Sequence, residues 1–347
     1  MGHMRKYKCP RCLYTDHVIR YGYRKKALRL LCKVCSCTFS FNPCILNTKV
    51  ILSDHLDGFS FRTLARKYSI SPMTAWRICE DELKKLPDNN EFTFKHCDRF
   101  SQILVCDGKY FNVVNGKSNP DWVLLWGFDY FRHDIPVITI APSESYQSWS
   151  RFFSYFRILN NRPRLLVCDD LSVIKMAAHT ILPGVKIQAC YNHFKETIRR
   201  ELGVRSVDTY RPFMRRIEEI LTVKLNDEAM NKKLFALYRD YRSDLVCVSV
   251  LTNMEKYKDE LLAYRGIPQA PITSNIIEGL NSHIEARLHS IRSFQSVRHA
   301  KLWFNGYILK RRMTKFTDCR GKFRYMNGKT GVSMTKKERI DIPLYFS

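Results

Sequence analysis

Ile103-Leu104-Val105-Cys106-Asp107 and Leu165-Leu166-Val167-Cys168-Asp169 are two copies of one short phrase, an apolar run that ends in a carboxylate. Each run is too short for a helix and rich in valine, isoleucine or leucine, so each reads as a buried strand. An aspartate at a strand end often does no more than start the turn that follows. Two such strands lying side by side would instead hold two metal ions over one end of their sheet. A spacing of about 4 Å between such ions is the one used to cut and join phosphodiesters. Cys106 and Cys168, inside the runs, read as small buried core residues.

The bulk composition narrows the choice. A chain of 347 residues has room for two or three domains, and its 45% hydrophobic and 26% charged residues describe a globular protein. No apolar stretch approaches the ~18 residues of a membrane span, so no membrane role is expected. No secretory segment opens the sequence, which places the protein inside the cell, in a bacterial cytoplasm or nucleoid or a eukaryotic nucleus. There the thirteen cysteines read as thiols and metal ligands rather than disulfides. The net charge is +25, and its distribution is uneven. Residues 1–86 hold 17 Lys/Arg against 6 Asp/Glu, and residues 287–347 hold 15 against 3, whereas 87–286 is nearly balanced at 26 against 24. Basic ends around a core that keeps its carboxylates point to nucleic acid as the partner.

Cys9-Pro10-Arg11-Cys12 and Cys32-Lys33-Val34-Cys35 form two C-x2-C pairs. Their spacing lets two knuckles supply four thiolates to one structural Zn2+, a zinc ribbon over 1–48. A turn is expected at Tyr21-Gly22-Tyr23, and Cys37 and Cys44 are spare. Leu52, Leu56, Phe61, Leu64, Ala65 and Tyr68 then recur at helical spacing. Ser71 reads as an N-cap and Pro72 as the first residue of a helix running to about Leu86. Residues 49–90 thus match a helix-turn-helix ending in a linker at Pro87-Asp88-Asn89-Asn90. Its DNA-facing candidates are Arg62, Ser71, Met73, Thr74 and Arg77.

Strands are expected near 102–107, 110–114, 122–128, 135–140, 164–168 and 185–189, with turn chemistry at Asn115-Gly116 and Ser118-Asn119-Pro120. Helices are expected from Ser143-Glu144 through Phe156 and over 172–181. Three antiparallel strands followed by alternating helix and strand describe an RNase H-like α/β core, with 91–194 as its first part. Glu144 reads as a helix-start carboxylate. Residues 195–268 look like an α-helical insertion. In the helix that follows, capped by Thr273 or Ser274, Asn275, Glu278 and Asn281 share one face.

Taken together, these features resemble a DDE transposase of the Mutator-like superfamily, of the bacterial insertion-sequence type, from Cys9 to about Arg312. The resemblance rests on the zinc ribbon, the helix-turn-helix, Asp107, Asp169 and Thr273-x-Asn275-x2-Glu278-x2-Asn281. It implies a multidomain α+β fold in which the helical insertion interrupts the RNase H-like core, whose last part is 269–312. It implies an enzyme that binds double-stranded DNA at terminal inverted repeats, cleaves it, and transfers the strand to target DNA as a homodimer when synapsed. Asp107, Asp169 and Glu278 would hold two Mg2+ (or Mn2+) ions, with Asn275, Asn281, Cys190 and His193 in support. Relatives often carry Gly where Asp170 stands, and strand alternation favours Asp169 as the ligand, with Asp170 sharing or replacing it as the alternative. A helix over 281–312, ending in Lys310-Arg311-Arg312, and the basic tail 313–347 would follow phosphates. The tail either stays disordered or docks through Ile340–Phe346. A domesticated non-catalytic DNA-binding regulator and an RNase H-like nuclease or resolvase are the alternatives.

Overall fold

The structure, a computed structural model, describes residues 7–24, 27–41, 46–114, 121–206, 208–343 and 345–346. Cys44 and the turn residues Asn115, Gly116, Ser118, Asn119 and Pro120 lie outside them. The chain divides into two compact units, 1–48 and 49–347.

The first unit is a three-stranded antiparallel sheet, β1 (Val18–Arg24), β2 (Ala27–Cys32) and β3 (Thr38–Phe41), in the order β1-β2-β3. The turn expected at Tyr21-Gly22-Tyr23 is instead a bulge within β1, where the register slips between Arg20 and Gly22. Gly22 has φ 113, a conformation that costs a glycine little and a side chain much. Cys9, Leu30 and Cys32 are the buried apolar residues described here, too few to hold a sheet together alone.

The second unit opens with α1 (Thr48–Leu56), α2 (Phe61–Tyr68) and α3 (Pro72–Lys85). The Ser60 hydroxyl caps α2 by accepting from Thr63 N, and left-handed Ser69 ends it. Ser71 caps α3 by accepting from Thr74 N, with Pro72 just inside, as the sequence predicts. The expected linker at 87–90 is instead a helix start, because the Asp88 carboxylate accepts from Asn90 N and Glu91 N to cap α4 (Asn89–His96).

A five-stranded sheet follows, formed by β4 (Ile103–Asn112), β5 (Asp121–Asp129), β6 (Ile138–Ala141), β7 (Leu165–Cys168) and β8 (Lys186–Ala189). Its order is β6-β5-β4-β7-β8; the first three pair antiparallel, and β4, β7 and β8 pair parallel. Two strands were expected across 102–114, but β4 runs unbroken because β5 pairs with it continuously from Leu104 to Asn112. Helices α5 (Tyr146–Ile158) and α6 (Ser172–Ile181) cover one face. Trp149, Phe152, Phe153 and Phe156 of α5 pack there with Leu104, Cys106, Leu166 and Cys168, so both cysteines are core residues.

The remaining elements are helical: α7 (Tyr191–Glu201), α8 (Arg211–Ile220), α9 (Asp227–Tyr241), α10 (Leu245–Lys256), α11 (Lys258–Leu261), α12 (Asn275–Ile291), α13 (Val297–Met313) and α14 (Gly331–Thr335). The helix expected over 281–312 breaks at Arg292, whose φ is 64. The break serves the sheet: Phe294 N donates to Asn112 O (3.0 Å) and Val114 N to Phe294 O (2.8 Å), extending the end of β4. Ser296 then caps α13. No helix of the described residues is long and apolar enough to cross a membrane.

Two expected phosphate contacts are overturned at the end of α13. Arg312 is fully buried, its Nε and Nη2 each 2.8 Å from the two carboxylate oxygens of Asp134, while Nη1 donates to Asn89 and Thr93. A guanidinium satisfied on every side in the interior cannot follow DNA. Lys310 is likewise engaged, with Ser53 O at 2.7 Å and Asp57 at 2.6 Å. Arg311 stays partly exposed, stacked on Phe316. The tail docks: Ile342, Tyr345 and Phe346 pack on Phe92, Cys97, Leu309 and Val332. Arg312→Ala should lower unfolding free energy by ~3–5 kcal/mol in urea titration, because it strands the buried Asp134 charge. A loss under ~1 kcal/mol, the range of an exposed pair, would show that the network is not closed in solution.

Candidate active site

The two phrases of the sequence lie next to each other. β4 and β7 pair in parallel register, Ile103 with Leu165 and Val105 with Val167. The same offset of 62 residues relates Asp107 to Asp169 (107 + 62 = 169), just past the end of β7. Leu104, Cys106, Leu166 and Cys168 face α5 and α6. Alternation along a strand therefore turns Val105, Asp107, Val167 and Asp169 to the other face.

Helix α12 presents its polar face to this point, and each of its three amide or acidic residues has a separate partner. Asn275 Oδ1 accepts from Asn192 Nδ2 (2.5 Å) at the start of α7. Glu278 Oε1 accepts from the Ser274 hydroxyl (2.7 Å) and lies 3.7 Å from His193 Nδ1. Asn281 Nδ2 donates to Asp107 Oδ2 (2.5 Å), while Asp107 Oδ1 accepts from Gly108 N (2.8 Å). Ser274 stands at the N-cap position without making the cap bond; its hydroxyl is drawn to Glu278 and to Cys190 Sγ (3.1 Å).

Cys190 and His193 complete the cluster. Cys190 N donates to Cys168 O, which holds the start of α7 against the end of β7. His193 Nδ1 then lies 2.8 Å from Asp169 Oδ1. Asp170 points elsewhere, paired with Lys175, which also binds Glu260 and sits over the Tyr257 ring. The geometry therefore separates the two neighbours: Asp169 belongs to the cluster and Asp170 to a surface ion network.

Electrostatics show how strained for positive charge the cluster is. Burial, and then the neighbouring Asp169 charge, push the Asp107 carboxyl up to about 7. The hydrogen bond with Asp169, followed by that with Cys190, raises His193 to about 11. An imidazolium thus stands between Asp169 and Glu278. Burial raises the Cys190 thiol, but its hydrogen bonds with His193 and Ser274 bring it below the ordinary value. Asn281 Oδ1 is buried without a hydrogen-bond partner, while Asp169 Oδ1 faces His193 Nδ1. Carboxylate and amide oxygens in this number, one of them unsatisfied, fit the hard-ligand chemistry of Mg2+ or Mn2+.

Glu144 belongs to the same region, which the sequence reading missed. Ser145, not Glu144, caps α5 by accepting from Ser148 N. The Glu144 carboxylate turns instead onto Gly108, where a Cβ would stand 2.5 Å from Oε1. No local pattern announces this, because the contact spans 36 residues (144 − 108).

In the first unit the Cys9, Cys12, Cys32 and Cys35 sulfurs lie within 4.8 Å of one another. Cys9 and Cys35 are 3.5 Å apart, Cys12 and Cys32 3.4 Å, near the ~3.8 Å edge of a tetrahedron with 2.3 Å Zn–S bonds. On α2 and α3, Arg62, Met73, Thr74 and Arg77 are exposed. Ser71 is exposed too, but its hydroxyl is engaged with Thr74 N and Oγ1 in the cap. Trp76, which the sequence reading passed over, is also exposed beside Met73 and Arg77.

The family model described as "Transposase, Mutator family" matches residues 61–301, well over half of the chain. No curated protein matches it.

Proposed function

Because the chain belongs to the Mutator family of transposases, we propose that it binds the terminal inverted repeats of a mobile element and cuts and joins DNA there. Asp107, Asp169 and Glu278 are the catalytic carboxylates in this reading, and the second unit's sheet with α5 and α6 is an RNase H-like core. Residues 1–48 are its zinc ribbon, 49–90 its helix-turn-helix with the start of α4, and 91–194 with 269–312 the two parts of the core. The helical insertion spans 195–268, and 313–347 is the basic tail.

The observation that carries the proposal is the Asn281–Asp107 hydrogen bond, with Glu278 one turn earlier on the same helix face. It ties the helix that carries Glu278 to the strand that carries Asp107, and His193 lies 2.8 Å from Asp169 and 3.7 Å from Glu278. Two Mg2+ or Mn2+ ions bound there would supply Lewis acidity at the attacking and leaving oxygens of an in-line displacement. The chain's own groups do the positioning. Asn281 and Gly108 N fix the two oxygens of Asp107, and Ser274 fixes Glu278. His193 pairs with Asp169, and its imidazolium balances the acidic cluster when no cation is bound. Water would attack the phosphodiester at the element's end and displace a 3′-OH, and that 3′-OH would then attack a target phosphodiester at the same carboxylates and displace the target strand's own 3′-OH.

Helix α3 would lie in the major groove, where Met73, Thr74 and Arg77 read base edges and Arg62 holds phosphate. Ser71 supports the helix start. Arg311 and the exposed bases of the tail would follow the backbone. Two ends held together call for two copies of the chain.

A gel assay with labelled element ends, with and without Mg2+, tests the reading. Nicked and joined products that need both Mg2+ and the terminal repeat are expected. Binding without cleavage would leave a DNA-binding regulator, and cleavage without joining a nuclease.

A further inference from the structure

The contacts between β4 and α12 do not stop at Asp107. Side chains on β4 alternate, so Lys109 follows Asp107 on the α12-facing side, ~7 Å further along the strand. On α12, Glu285 follows Asn281 on the same face, ~6 Å along the axis. The two rows meet rung for rung. Asn281 Nδ2 donates to Asp107 at the first, and Lys109 Nζ donates to Glu285 Oε2 at the second. The first rung belongs to the catalytic cluster, and the second has no part in the proposed chemistry.

The second rung is not built like a strut. The Glu285 side chain is 49% exposed and that of Lys109 22%, so the pair can be exchanged at modest cost. Beyond it lies a cavity of about 180 Å3, walled by the end of β4 at Tyr110 and Asn112 and by α12 at Glu285, His289 and Arg292. His289 stands one turn past Glu285 on the same face, and Arg292 closes the helix. Glu285 is the one carboxylate in this lining, and Arg292 has no ion-pair partner among the described residues. A recess with that balance of charge suits an anion, and its single acid is already occupied by Lys109.

We propose that this end of the β4–α12 seam is a subsite for a DNA backbone phosphate flanking the one that is cut, bound by Lys109 and Arg292, with Glu285 holding Lys109 until DNA displaces it. The inference rests on the reading of Asp107, Asp169 and Glu278 as the carboxylates over which that strand lies. A strand running from them along the seam meets Lys109 at the next rung. Lys109 exchanges one anion for another, so its charge is never left unpaired. The freed Glu285 carboxylate turns to water and to His289. The rival is a plain brace between β4 and α12.

Affinity of the zinc-loaded full chain for a labelled duplex spanning an element end, with Ca2+ in place of Mg2+ so that no strand is cut, separates the two. A brace predicts that loss of either partner weakens binding alike, and the subsite predicts opposite signs. Lys109→Met should weaken binding roughly 10-fold, as loss of one charge-assisted contact does. It should also lower the salt slope by about one. Glu285→Gln should tighten binding ~2- to 5-fold, because an exposed ion pair no longer has to be broken. Each phosphate flanking the cleavage point is replaced in turn by an uncharged methylphosphonate. One of these should weaken the wild type and leave Lys109→Met indifferent. Equal weakening by the two variants, or no change from either, overturns the inference. Nicking that still depends on Asp107 would then leave the proposed catalytic site standing. If the wild type binds element ends no better than unrelated duplex and cuts neither with Mg2+, both fall. Should a melting curve show that Lys109→Met does not fold, Glu285→Gln and the methylphosphonates decide: no tightening, with a wild type insensitive to every replaced phosphate, overturns the inference.

Discussion

Asp107→Asn should bind element ends like the wild type while nicking and strand transfer drop by roughly 10^4-fold, about 5.5 kcal/mol of transition-state stabilisation. The asparagine keeps the size of the side chain and one oxygen to accept from Asn281, so α12 stays tied to β4. What it removes is the charge next to Asp169. A control follows from the raised Asp107 pKa of about 7 against an ordinary 3.8. Between these values the folded state holds a proton that the unfolded chain has released, so without metal Asp107 costs stability increasingly as pH rises from about 4 to about 7. Metal-free Asp107→Asn should therefore melt above the wild type at pH 8, with the gap closing near pH 4. Higher melting, intact binding and lost chemistry would together place the defect at the carboxylate. Retained strand transfer in this variant would refute the assignment.

The parts of this protein written in local pattern were legible in advance. The twin phrases predicted two strands and the face their aspartates share, because period-two alternation is a local property. The Ser71-Pro72 helix start and the asparagine–glutamate stripe of α12 were legible for the same reason. Contacts made across the chain were not. Arg312 stands in a run of bases that reads as a DNA contact, yet it meets Asp134, which is 178 residues away and equally innocuous in sequence. Nothing local separates a lysine or arginine aimed at solvent from one aimed at a buried carboxylate. Glu144 failed likewise: a carboxylate before an N-cap serine invites a helix-dipole reading, and only Gly108 on a distant strand overrules it. The break at Arg292 escaped because an amphipathic period continues through it, and the pairing of Phe294 with Asn112 decides the matter.

Removal of zinc should unfold the first unit and leave the second standing. The four sulfurs come from two separate turns, Cys9 and Cys12 before the sheet, and Cys32 at the end of β2 with Cys35 in the turn before β3. Apart from cysteine, Leu30 is the one buried hydrophobic residue described there, and β1 is exposed along nearly its whole length. A sheet so thin has little apolar area to offset the entropy of ordering it, and zinc held by the four thiolates would supply the stability it lacks. Structural zinc supplies about 10–16 kcal/mol of apparent binding free energy in domains of this kind, and that energy is lost with the ion. Burial raises the Cys9 thiol, but backbone hydrogen bonds at Cys12 and Arg11 outweigh it and bring Cys9 down to about 6, which readies a thiolate for zinc. Cys32→Ser or a strong chelator should therefore open 1–48 to limited proteolysis while 49–347 remains resistant. Binding to element ends should weaken with it. One zinc per chain should be released on thiol modification of the wild type and none from the variant. A Cys32→Ser chain that keeps its zinc and its protease resistance would show that Cys37 or Cys44 completes the site, since these are the remaining thiols of the unit.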